Sequence, residues 1–244
     1  MKIHVYLNSY NDSKFLFYAL RHYSFANLIT VWDNCSTDHT IEIIKSFPNT
    51  DIVQYYTENQ FDDLIIKAMK NNWWKNSRGV ADWVIVADLD EFLYHPDIIN
   101  KLIELKEQGY TIIKPTWYDM VSETFPIANV DLTDIVKYGV KVLKVGKSLC
   151  FNPNLDEIHY NAGAHFCKPI GRVKIYDALE HGDDIKTLHY KYLGLDYVIQ
   201  RRKLMAERMS KRNKELGLGF HAFWSFKQQT EKFNKLLQDS IKVI

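Results

Sequence analysis

A chain of 244 residues with 46% hydrophobic and 14% aromatic content can bury a substantial core, as one large domain or one domain with an appendage. Its 31 basic and 30 acidic residues leave a net charge of +1, which argues against a global field suited to nucleic acid or an anionic membrane, so an anionic ligand needs a local site. Three widely spaced cysteines, Cys35, Cys150 and Cys167, fit neither a disulfide framework nor a CxxC zinc site and read as reduced thiols.

The opening "MKIHVYLNSYND" lacks the apolar segment of a signal peptide, and no later window approaches the ~18 apolar residues that span a bilayer, which implies a soluble, cytoplasmic protein. "KIHVYLN" alternates as a half-buried first strand, and "SKFLFYALRHYSF" then places apolar residues at helical intervals. "NLITVWDN" is a second strand, followed by "STDHTIEIIKSF", in which Ser36 or Thr37 caps an amphipathic run closed by Pro48. "DIVQYYTEN" is a third strand, residues 61–75 a long helix, and "DWVIVADLDEF" a fourth strand. "PDIINKLIELKEQG" is a helix ended by Gly109, and "YTIIKPTWYDM" a further strand. Strands alternating with helices imply an α/β fold with a mainly parallel sheet covered on both faces.

Beyond Met120, prolines, glycines and aromatics interrupt short β-like runs such as "VKVLKV" and "GRVKIYDAL". From about residue 195, "DYVIQRRKLMAERMSKRNKEL" and "FHAFWSFKQQTEKFNKLLQDSI" read as two helical segments. The expected organisation is a catalytic domain over 1–194, split near 120 into a ligand-binding and a completing half, with a helical extension over 195–244. The basic face of the extension, Arg201, Arg202, Lys203, Arg208, Lys211, Arg212 and Lys214, reads as a solvated face packed by Leu204, Met205 and Met209, or as a peripheral membrane contact.

In open α/β sheets, ligands bind beyond the carboxyl ends of the strands, and the fourth strand ends there in Asp88, Asp90 and Glu91. Carboxylates at i and i+2 facing one point repel each other unless a cation lies between them. Oxygen ligation favours Mg²⁺ or Mn²⁺, ions that complete their shell with water and substrate phosphates. A second cluster, "VWDNCSTDHT", puts Asp33 and Asn34 at the end of strand two, where donors and acceptors suit the edge of a base or ribose.

"NSYND" after strand one, "VWDNCSTDHT" after strand two and "WVIVADLDEF" after strand four resemble the nucleotide-sugar-binding half of a family 2 glycosyltransferase of the GT-A fold, over about the first 120 residues. With the later "LHY", the fourth-strand segment is also similar to family 92-like transferases. The resemblance implies metal-dependent transfer of a sugar from a nucleoside-diphosphate donor, UDP- or GDP-linked, to a hydroxyl of a carbohydrate or lipid-linked acceptor. It places Asp33 on the nucleobase or ribose, with Asn8 and Asn34 in the donor site, and Asp88 and Asp90 on a divalent metal. It also implies a histidine from the later half at the metal or diphosphate, for which His189 and His165 stand in position.

Glu91 and Asp119 are the candidate catalytic acids, with Asp156 and Glu157 as further possible bases, and no clear "ED" or "QxxRW" element follows "TWYDM". Lys147, Lys168, Arg172 or Lys191 would add charge to the leaving group, and Trp117 and Tyr118 would stack on a sugar or pack in the core. "VIVADLDEF" also resembles the entry strand of haloacid-dehalogenase-like phosphatases, against which stand Phe92 and the three preceding β-α units. A sugar nucleotidyltransferase and a non-catalytic nucleotide-sugar-binding module are the remaining alternatives.

Overall fold

The computed structural model describes residues 1–244 apart from Ala128, Lys144 and Gly146. Its first part is β1 (Ile3–Ser9), α1 (Ser13–His22), β2 (Leu28–Asp33), α2 (Thr40–Lys45), β3 (Thr50–Gln54), α3 (Asp63–Lys70), β4 (Trp83–Asp88), β5 (Glu91–Tyr94), α4 (Ile98–Glu107), β6 (Ile112–Lys114) and β7 (Thr116–Ser122). There follow α5 (Leu132–Ile135), β8 (Tyr138–Val142), β9 (Cys150–Phe151), β10 (Glu157–Tyr160), β11 (Cys167–Ile170), β12 (Ile175–Asp177) and β13 (Lys186–Leu193). The chain closes with α6 (Leu195–Arg208), α7 (Lys211–Glu215), α8 (Phe226–Asp239) and β14 (Ile241–Lys242).

The fold is mixed α/β with a mainly parallel central sheet. Among the described residues its strand order is β12-β6-β9-β4-β1-β2-β3, with β1 parallel to both β2 and β4 and β2 parallel to β3. β9 is the antiparallel insertion, pairing with β4 on one side and β6 on the other. β1 and β4 carry nearly continuous apolar runs because both of their faces are covered. A second sheet, β14-β8-β7-β13-β5, packs beside the first, and β10 pairs with β11 as a separate hairpin.

Two strands read as single each divide between the sheets. "YTIIKPTWYDM" breaks at Pro115, which cannot donate to a ladder, so that β6 joins the first sheet and β7 the second. "DWVIVADLDEF" breaks at Leu89-Asp90: β4 ends on Asp88 and β5 begins on Glu91, paired antiparallel with β13. The acidic cluster therefore stands where the chain steps from one sheet to the other.

Helices are shorter than their apolar periodicity suggests. The 61–75 segment splits into α3, capped by Asp62 accepting from Leu64 and Ile65 N–H, and a 3-10 turn over Trp73–Ser77 that buries both tryptophans. α2 starts only at Thr40, whose N–H donates to Asp38 rather than to Ser36 or Thr37. The 196–216 segment breaks after Arg208, and Ser210 caps α7. Of "VKVLKV", Val140–Val142 belong to β8 and Lys144 lies outside the described residues. Residues 195–244 join the core through Val198, Phe233 and Leu236, which pack on Val121 and Tyr192, and through β14 on β8.

Among the described residues no helix is long and apolar enough to cross a membrane. His22 ties α1 to β5: its ring stacks on Phe92 at 4.3 Å, and its Nε2–H donates to the Leu93 carbonyl at 2.9 Å. Burial pushes its pKa down to about 4, against the opposing pull of that carbonyl. Because the folded value lies below the unfolded one, this stability is complete above pH 6.5 and is lost as pH falls towards 4. A His22→Gln variant is expected to flatten the acid limb of a stability-pH curve by roughly 2–3 kcal/mol, and an unchanged limb in chemical denaturation between pH 7 and 4 excludes it as the source.

Candidate active site

The carboxyl ends of β1, β2 and β4 open into a cavity of about 400 Å³, walled on the far side by α6 and the segment after α7. Asn8 at the end of β1 is in register with Asp88 at the end of β4. The Asn8 Oδ1 atom is buried without a hydrogen-bond partner among the described residues, a polar atom suited to a ligand donor.

The acidic cluster is compensated by lysines. Asp88 Oδ1 accepts from Lys70 Nζ at 2.6 Å, and its Oδ2 lies 3.7 Å from Lys147 Nζ. Lys147 also donates to Glu91 Oε2 at 2.6 Å, and the same carboxylate oxygen accepts the Asp88 N–H at 2.8 Å. Both lysines are almost wholly buried. Burial alone would raise the Asp88 pKa, yet Lys70 and then Lys147 hold it well below the usual carboxylate range. The repulsion that the sequence raises is thus relieved within the chain. Glu91, a candidate catalytic acid, is buried and spans the turn as an anchor between Lys147 and the Asp88 amide.

Asp90 faces the other way. Its Oδ2 lies 3.6 Å from Nε2 of His189, whose Nδ1 is 2.8 Å from Asp119 Oδ1. β13 supplies the histidine and the parallel β7 its carboxylate, in register at His189 and Asp119. Against burial, which lowers it, Asp90 and Asp119 raise the His189 pKa to about 10, while the bond to His189 keeps Asp119 low despite its own burial.

These residues fit a divalent cation. With Nδ1–H donated to Asp119, loss of the Nε2 proton would leave the Nε2 lone pair for a cation held beside Asp90, the arrangement that orients a histidine ligand. The proton held on the ring stands where a cation beside Asp90 would make it dispensable. Among the described residues, no three His, Cys, Asp or Glu groups converge as a preformed metal cage. The pair suits an ion that draws the rest of its shell from water and phosphate.

At the β2 end, Asp33 is fully buried and outside the cavity lining, its carboxylate accepting from Ser36 N–H and Oγ–H. Asn34 does line the cavity. Its amide lies between Thr57 and Arg208, and with the oxygen turned to Arg208 it accepts from Nη2 at 2.8 Å. The Arg208 guanidinium stacks on the Tyr10 ring, 3.1 Å from its centroid, and donates to Asn59.

The remaining candidates separate by place. His165 and Lys191 line the cavity; Lys168, Arg172, Asp156 and Glu157 do not, and Glu157 is paired with Lys75. Trp117 is core, edge-on to His189. The basic face is solvated only in part: Lys203, Lys211, Arg212 and Lys214 are exposed, whereas Arg202 and Arg208 are buried and Arg201 pairs with Asp12, whose other oxygen accepts from the Tyr197 hydroxyl. Leu204 and Met205, expected to pack on the core, line the cavity instead. Sequence reasoning missed Lys70, Asp12 and Asp63. The one signal for Lys70 is a lysine set between Met69 and the Trp73-Trp74 pair, where a solvated residue is out of place. Asp63 lines the cavity and is bonded to Asn213, and burial followed by the charges of Asp88 and Asp62 raises its pKa to about 6.

No protein family profile and no curated protein matches the chain. Solved structures that are similar include Staphylococcus aureus TarS (S. aureus TarS), at 13% identity and TM-score 0.49, covering 98% of this chain and 43% of that one. A structure of S. aureus TarS 1-349 in complex with UDP is 14% identical with TM-score 0.49, covering 97% of this chain and 71% of that one. Glucosyl-3-phosphoglycerate synthase from Mycobacterium tuberculosis, in complex with Mn²⁺, UDP and glucosyl-3-phosphoglycerate, is 17% identical with TM-score 0.33, covering 48% of this chain and 44% of that one. The chain thus spans less than half the length of the first of these.

Proposed function

We propose that this chain is a GT-A glycosyltransferase that moves a sugar from a nucleoside-diphosphate donor to an acceptor hydroxyl, using Mn²⁺ or Mg²⁺. The observation that carries this reading is the lysine-compensated Asp88 at the carboxyl end of the parallel sheet, with Asp90 and the Asp119-bonded His189 beside it, Asp88, Asp90 and His189 all lining a cavity of nucleotide-sugar size. The motif resemblance over the first 120 residues points the same way.

In this reading, Asn8, Asn34 and the Arg208–Tyr10 stack hold the nucleoside, and Asp33 acts indirectly by fixing the loop that presents Asn34. Asp90 and His189 would hold the metal, with Asp88 behind them. The ion, when bound, supplies charge to the diphosphate leaving group. Lys70 and Lys147 keep Asp88 ionised and its carboxylate fixed. Glu91 and Asp119 act as positioning residues, since each is committed to Lys147 or His189. His165 on its hairpin closes the donor side. For a lipid-linked acceptor, the exposed Lys203 and Lys211 offer a contact to an anionic membrane.

The test is thermal denaturation with UDP and GDP, with and without Mn²⁺, followed by product analysis with the corresponding sugar nucleotides. A metal-dependent rise in midpoint with one diphosphate and sugar transfer are expected. Release of pyrophosphate from a nucleoside triphosphate and sugar phosphate favours the nucleotidyltransferase instead, and binding without turnover of any donor favours the binding module.

A further inference from the structure

Past the Asp90–His189 pair, the wall formed by α6 and the 3-10 turn Phe220–Phe223 carries Arg201, which is matched by Asp12, and Arg202, which among the described residues enters no ion pair. Arg202 is 5% exposed and lines the cavity, and its Nη1 is buried with no hydrogen-bond partner among the described residues. Its guanidinium lies 5.1 Å from the ring centroid of Trp224 and is hydrogen-bonded to Tyr192, whose ring centroid is 6.0 Å away, contacts that hold it in place and leave Nη1 unpartnered. Lys191, His221 and His165 line the same cavity.

The ion pairs nearby join His189 to Asp90 and Asp119, and Arg201 to Asp12; among the described residues neither Arg202 nor Lys191 enters one. The four basic groups share one neighbourhood: burial, then Lys191, Arg202 and His165, push the His221 pKa down to about 4, leaving a neutral ring able to donate one N–H. A buried guanidinium nitrogen with nothing to donate to is costly unless a ligand anion meets it, and the planar fork of an arginine matches phosphate oxygens.

We propose that Arg202, Lys191 and His221 form an anion subsite that binds a phosphate or phosphodiester group of the acceptor, separate from the donor diphosphate. The inference rests on the glycosyl-transfer reading for the word acceptor, but not for the site. The donor end has its charge partners on α3, β4 and β13, whereas Arg202 and His221 come from α6 and the turn after α7, with Lys191 on β13 two residues past His189. Phe220, exposed at the cavity wall, gives the subsite an apolar edge, and the phosphate-bearing molecule is either water-soluble or a lipid headgroup.

The experiment loads the full chain with saturating UDP and Mg²⁺ and then titrates inorganic phosphate by calorimetry. One saturable phosphate site is expected with UDP still bound, and Arg202→Gln and Lys191→Gln should each weaken phosphate about tenfold or more while leaving UDP affinity within about twofold. Lys191→Gln carries the test if Arg202→Gln does not fold. Competition between phosphate and UDP, or variants that bind phosphate as the parent does, overturns the proposal. A second arm compares glycerol 3-phosphate with vesicles of phosphatidic acid in phosphatidylcholine. Arg202-dependent binding of the first alone assigns a soluble acceptor and of the vesicles a lipid headgroup, and binding of neither overturns the subsite. If the parent binds phosphate in this manner but no nucleoside diphosphate, the glycosyl-transfer reading falls and the subsite stands.

Discussion

Lys147→Met is expected to destabilise the fold by roughly 3–5 kcal/mol, because it strands a buried carboxylate that has lost its counter-charge. Lys147 is 1% exposed and bridges Glu91 and Asp88, so its removal leaves Glu91 beside Asp88 with the Asp88 amide, Lys70 and the more distant His189 to balance two anions. The double variant Lys147→Met, Glu91→Gln should regain most of that loss, since a neutral amide can still accept from the Asp88 N–H. Urea unfolding measures both, as a fall and a recovery of the midpoint at constant slope. If the single and double variants lie equally low, the loss is one of packing, and the charge argument for the cluster fails.

The second large effect falls on function. Asp90→Asn is expected to lower metal-dependent turnover by about 10²–10³-fold while leaving the fold within ~1 kcal/mol, because among the described residues the Asp90 side chain is paired with His189 alone. Asp119→Asn should cost about 10–100-fold in metal affinity, since it removes the carboxylate that orients His189. The two are told apart by titrating Mn²⁺ at saturating donor. Excess metal should restore most of the Asp119→Asn activity and little of that of Asp90→Asn. Full activity of Asp90→Asn at every metal concentration removes the proposed metal site.

Much of the frame was legible because it is local. The alternation in "KIHVYLN" and the apolar run before Asp88 are consequences of strand burial, and both become β1 and β4. "LHY" also lands His189 in the cavity. What was illegible is long-range pairing. Nothing within the DLDE segment says that Lys70 meets Asp88 or that Lys147, 56 positions on, meets Glu91, so the cation the acids call for was assigned entirely to metal. Asp33 follows the same lesson: its carboxylate is absorbed by Ser36 three residues away, which a contact-seeking reading of "DNCS" overlooks. α6 misled for another reason. A basic helical face normally means water, whereas here Arg201 docks on Asp12, Arg208 on Asn59 and Tyr10, and Arg202 is buried.

That docking has a consequence for how the molecule comes apart. The cavity is bounded by residues near the start of the chain, Asn8 and Asp12, and by residues of its last quarter, Tyr197, Arg201 and Arg208. A molecule bound between them is a non-covalent cross-link between distant stretches of polypeptide. It should therefore oppose unfolding in proportion to its occupancy, as RT ln(1 + [L]/Kd) requires, and shield the join between β13 and α6 from proteases that cut the transiently opened chain. Resistance to limited proteolysis at Gly194 then becomes a readout of occupancy that needs neither a known acceptor nor a turnover assay.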